Sequence, residues 1–135
     1  MSQENVEVVR AATEAWLSGD FSAALELVAE DIVTTQPPTQ ADARTHVGHD
    51  GLVQAMADWC DQWDDWQVEL LRVIDADPDV VGVLHQRGRG KISGAEVASE
   101  LGSVIAVEAG KIVRWQMFFS EQEALEAVGL AKKSI

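Results

Sequence analysis

The sequence predicts an α+β domain in which helices come first and an antiparallel meander follows. Three observations carry this reading. Over the first part of the chain, apolar residues recur every three or four positions, the period of a helix. From Trp66 onward the period falls to two, that of a strand with one covered face. The connections between these later segments are too short for crossovers, so neighbouring strands must run antiparallel.

The elements follow in order. Val6, Val9, Thr13, Trp16 and Leu17 share one face of a first helix, with Ser2 placed to cap its start and Gly19 its end. Asp20 caps a second, short helix whose apolar face is Phe21, Ala24, Leu25 and Val28. Residues 32–35 are a β-branched run and predict a strand. Pro37 and Pro38 stop it, because proline has no amide hydrogen for the ladder, and residues 37–48 read as a loop. Asp50 caps a third helix carrying Leu52, Val53, Met56, Trp59, Cys60 and Trp63 on one face. Four strands follow over residues 66–75, 80–90, 95–108 and 111–119, separated by turn signals at Asp77-Pro78-Asp79, Ser93-Gly94 and Ala109-Gly110. Ser120 and Glu123 form a capping box for a last helix, which Gly129 ends. Residues 1–130 read as a single domain and 131–135 as a tail.

Composition narrows the function classes. Apolar residues make up 47% of the chain and charged residues 24%, so a packed core is expected rather than disorder. A net charge of −13 repels a phosphate backbone and argues against nucleic-acid binding. No apolar stretch is long enough for a membrane span, and the first residues lack the pattern of a secretory leader. The single cysteine, Cys60, has no internal partner. Together these predict a cytoplasmic protein with no membrane partner. Gly88-Arg89-Gly90 lacks the strand–loop–helix context of a phosphate loop, and no cofactor is expected.

Several segments together resemble one family. They are Glu4 to Trp16, Ser18-Gly19-Asp20, Ala23 to Val28, Val47 to Leu52, Arg87 to Gly90, Ala109 to Val113 and Glu121 to Leu130. In order and spacing they are similar to the SnoaL-like proteins of the NTF2-like superfamily, over nearly the whole chain. The resemblance implies a cone: a curved antiparallel sheet wrapped around three N-terminal helices, with a short C-terminal helix and an internal pocket. It also implies a homodimer through the outer sheet face, here the face expected to carry Ile112, Gln116 and Phe118. Members include ketosteroid isomerases, cyclases, epoxide hydrolases and dehydratases, so the fold does not settle the activity. The isomerase roles fall on Gln36, Ala12 and Ser103 in this chain, none of which supplies the acid, base or tyrosine that the chemistry needs.

By the same similarity Val113, Trp115, Met117 and Phe119 point into the pocket from the last strand. Val97, Ser99, Leu101, Ser103 and Ile105 do so from the strand before, and Val81, Val83, His85 and Arg87 from the one before that. The expected pocket residues are Trp16, Ser103, Trp115, Met117 and Phe119, and the expected occupant is a small apolar or aromatic molecule. His85 is the candidate acid/base, with Arg87 as an anion partner, because imidazole titrates near neutrality. The alternative for His85 is packing on a sheet surface. Three readings stay open: a ligand-binding domain, an enzyme using His85, and a non-catalytic dimerisation module. His46 and His49 read as solvent-facing loop histidines rather than metal ligands, for want of a third ligand at suitable spacing. Trp59, Trp63 and Trp66 read as packing.

Overall fold

The computed structural model describes residues 2–36 and 44–129. In chain order it has helices α1 (Ser2–Leu17) and α2 (Phe21–Glu26), strands β1 (Val28–Thr35) and β2 (Thr45–Val47), and helix α3 (Gly48–Cys60). Strands β3 (Trp63–Ala76), β4 (Asp79–Gly90), β5 (Glu96–Glu108) and β6 (Lys111–Phe118) follow, and helix α4 (Glu121–Ala127) closes the series. The strands form one curved, unclosed sheet in the order β2-β1-β6-β5-β4-β3. The predicted cone is therefore present. The meander β3 to β6 is antiparallel, and β1 joins its free edge by pairing parallel to β6.

Local chemistry sets the ends of the helices. Gly19 has φ +88° and follows α1 as its terminator. Its amide bonds the Trp16 carbonyl and that of Asp20 bonds Ala15, the paired closure of a Schellman motif. Asp20 then turns its carboxylate to the Ala23 amide at 3.2 Å and starts α2. Ser120 does the same for α4 through the Glu123 amide at 3.1 Å. Four helix boundaries differ from the sequence reading. Trp63, expected on α3, is the first residue of β3, because α3 ends at Cys60. Ser2 lies within α1 rather than before it. Asp50 lies in the first turn of α3, not at its cap, which is Val47. Val28 belongs to β1 and not to α2. A further strand, β2, occupies part of the stretch read as a loop. Pro37, Pro38 and the tail 131–135 lie outside the described residues.

Two cores sit on opposite faces of the sheet. On the concave side Val9 and Ala12 of α1 and Leu52 of α3 pack on Ile32, Val80, Ile105 and Ile112. On the other side Ala124 of α4 packs on Val81, Val83, Val104 and Phe118. The face expected to stay uncovered for a dimer is thus altered. Phe118 is only 7% exposed beneath α4, and Ile112 is wholly buried in the concave core. Ile112 changes sides because a register shift separates it from Arg114 opposite β5, which resets the alternation. Val53, expected on the buried face of α3, is exposed, and Ala55 takes the buried place beside Leu52 and Trp59.

Helix α4 is also tied down by an ion pair. Arg72 of β3 donates to both carboxylate oxygens of Glu121, at 2.6 and 2.8 Å. That bidentate bond holds the Glu121 carboxyl below its ordinary range. A depressed carboxyl stabilises the fold above its unfolded value and stops doing so as pH falls through the folded one. Arg72→Ala is therefore expected to lower the melting temperature at neutral pH. The difference from wild type should vanish in acid, which thermal unfolding across the carboxylate range measures.

Candidate functional site

Between the concave sheet face and α1 to α3 lies an apolar space. Four of the five tryptophans wall it: Trp16, Trp59, Trp66 and Trp115. Met56, Leu84, Leu101 and Met117 supply further wall, and Thr13 and Ser103 are its polar members. Its free volume is about 70 Å³. That is room for about two waters, against roughly 300–1,000 Å³ for a drug-sized ligand. Among the described residues, no lining residue is charged or titrates near neutrality.

Each wall is held by a specific contact. Trp115 donates its indole N–H to the Ser103 hydroxyl at 3.0 Å across the β5–β6 ladder. Trp59 on α3 and Trp66 on β3 both donate to Gln86 Oε1, each at 2.9 Å. Gln86 is 3% exposed, and its amide nitrogen donates onward to Ser99 at 3.3 Å. Indole only donates, so two converging indoles fix which end of the Gln86 amide faces them. One side chain on β4 thereby positions two walls that arrive from different elements. Phe119 lies beside Trp59 with ring centroids 6.3 Å apart, tilted, and is 37% exposed. Trp16 packs against the exposed Phe21 at 4.8 Å.

The structure sets Trp16, Ser103, Trp115 and Met117 around this space, whereas Phe119, expected with them, is not among its lining residues. It does not bring His85 and Arg87 to them. Leu84 faces the pocket and pairs with Leu70 and Leu101. His85 and Arg87 alternate with it and face outward. There His85 Nδ1 lies 4.0 Å from Glu69, and Arg87 donates to Gln67 at 3.0 Å, both residues bordering an open groove. The expected inward set on β4, with Val81 and Val83, is corrected to Val80, Gly82, Leu84 and Gln86. The reason is that both faces of β4 are covered, one by the helices and the other by α4. Alternation then gives no polarity signal, and a slip of one residue exchanges the faces.

The remaining candidates resolve in place. His49, in the first turn of α3, has its Nε2 2.9 Å from the Val28 carbonyl oxygen. His46 lies on β2, and its Nε2 is buried without a hydrogen-bond partner among the described residues, so it is not a solvent-facing loop histidine. No cluster of three metal-ligating side chains occurs among the described residues. Burial, aided by Asp61, pushes the Cys60 thiol up, away from a reactive thiolate. Trp59 and Trp66, read from sequence as packing, are pocket walls. Gln86 carried no signal of its own, being one polar residue in a strand covered on both faces. No described helix is long and apolar enough to cross a membrane.

The fold recurs in solved structures. Bal32a, from a soil-derived mobile gene cassette, matches with a TM-score of 0.75 at 20% identity, over 94% of this chain and 97% of its own. An NTF2-like protein from Burkholderia thailandensis matches with a TM-score of 0.76 at 24% identity, over 91% and 95%. TerC, co-crystallised with polyporic acid, matches with a TM-score of 0.71 at 16% identity, over 93% and 98%. At these identities the likeness establishes the fold alone. No curated protein matches the sequence. The SnoaL-like domain profile matches residues 9–115, a stretch that runs from the middle of α1 through α3 and most of the sheet, and the chain therefore belongs to the SnoaL-like domain family.

Proposed function

We propose that this protein binds a small aromatic molecule, about one ring in size, in the tryptophan-walled space of the cone. The observation that carries the reading is the lining itself: four indoles, two thioethers and aliphatic groups, with no charge. Such walls favour a flat apolar ligand through burial and ring–ring contact. The volume sets the size. A cavity of about 150 Å³ accommodates benzene, and this space is half that at rest. Met56 and Met117 are the walls able to yield, because an unbranched thioether changes rotamer at little cost. A multi-ring ligand would need the indoles to move as well, and Gln86 ties two of them down.

Acid/base catalysis through His85 has no geometric support, since that imidazole lies on the opposite face of the sheet from the space. The test is a thermal-shift and tryptophan-fluorescence screen of one-ring aromatics, repeated with Ala12→Leu. Ala12 lines the space from α1 and is 3% exposed, so a leucine there fills it. Wild type should be stabilised and its fluorescence changed by a one-ring compound, while a folded Ala12→Leu protein should show neither effect. Equal responses from both proteins would place binding elsewhere.

A further inference from the structure

Two buried polar groups, next to the pocket wall but not among its lining residues, have no partner among the described residues. Thr34 on β1 is wholly buried, yet its hydroxyl makes no hydrogen bond among the described residues. His46 on β2 has its Nε2 shut off from solvent and equally unpaired. The sheet sets them side by side: Thr34 is paired with His46 across the β1–β2 ladder and with Trp115 across β1–β6. Directly paired residues share a face, with Cβ atoms about 4.5–5.5 Å apart in antiparallel pairs. That face is the concave one. Ile32, two residues before Thr34, lies in the concave core, and Trp115 walls the pocket. From above, α3 closes the notch: a Cβ on Gly51 would come within 3.0 Å of the His46 Cβ, and the next residue, Leu52, lines the pocket.

Leaving a buried donor or acceptor unpaired is unfavourable, and two adjacent ones call for a third polar group between them. We infer that Thr34 and His46 form a polar subsite at the edge of the pocket, which takes a hydroxyl carried by the aromatic ligand. The inference rests on the pocket reading above and adds the chemical class to it. A hydroxyl both donates and accepts, so it satisfies the pair whichever imidazole nitrogen carries the proton. An anionic group does not suit the place, because among the described residues no lysine or arginine lines the pocket to balance a buried charge. The ligand class is thus a neutral ring bearing an alcohol or phenol group, oriented with its oxygen toward β1 and β2 and its ring against Trp115.

The test compares toluene with phenol, which differ by a methyl in place of a hydroxyl. Affinities are read by fluorescence titration for wild type, Thr34→Val and His46→Phe. Wild type should prefer phenol by about tenfold, the worth of one or two buried hydrogen bonds. Each substitution should remove that preference and leave toluene binding unchanged. If toluene binds and phenol binds no better, the subsite is refuted while the pocket reading stands. If neither binds, both fall. A phenol preference that survives both substitutions also refutes it. Imidazole nitrogen NMR on the wild-type protein guards against variants that do not fold. Phenol should move the His46 Nε2 resonance and toluene should not, and an unmoved resonance in the phenol complex overturns the assignment.

Discussion

Gly102→Ala is expected to destabilise the fold by about 2–3 kcal/mol, the upper range for forcing an extra methyl into a packed site. Gly102 is on β5 opposite Phe118 of β6, on the face that receives α4. A Cβ there would lie 2.3 Å from the Ser120 carbonyl oxygen and 3.0 Å from the Ala124 Cβ. The nearest obstacle is backbone at the cap of α4, so no side-chain rotation can relieve it. Either β5 bends or α4 lifts off Val81, Val83 and Phe118. Gly82 on the adjacent strand is the internal control. A Cβ at that position meets only Ile105 Cδ1 at 3.6 Å, an ordinary contact. Gly82→Ala should therefore change stability far less, and urea unfolding of the two variants in parallel measures the difference.

Gln86→Leu is expected to cost about 2–4 kcal/mol, because two buried indole N–H groups lose one shared acceptor. The loss should be non-additive with changes at its partners. In a Trp59→Phe, Trp66→Phe background no orphaned donors remain, and the same substitution should be nearly neutral. A double-mutant cycle on unfolding free energies isolates this coupling. A cost unchanged in that background would mean that Gln86 acts by shape and not as the acceptor that sets the pocket walls.

These two residues also mark what the sequence could and could not convey. The helices, the meander and its turns were legible because each has a local cause. Asp20 and Ser120 cap, Gly19 terminates, and period-two runs are bounded by Asp77-Pro78-Asp79 and Ala109-Gly110. Face assignment succeeded on β5 and β6 near Ser103, Trp115 and Met117, where the pocket lies on one side. It failed on β4, where Val80 and Val81 are both buried, one in each core, so the strand shows no polar face. It failed again at Ile112, because a register shift across a β-ladder leaves no mark in local composition. The parallel partnership of β1 with β6 joins residues some eighty positions apart, and no periodicity encodes such a pairing. For the same reason Thr34 and His46 each looked unremarkable until the ladder set them side by side.

The most direct measurement of the central claim is a crystal structure of the protein soaked with bromobenzene, whose bromine can be located by anomalous scattering. One bromine peak is expected inside the cone, among Trp16, Met56, Trp115 and Met117, with the methionines displaced and the Gln86 bonds to Trp59 and Trp66 intact. Bromine found only on the outer face of the sheet, or none in the cone despite a solution stabilisation by the same compound, would contradict it.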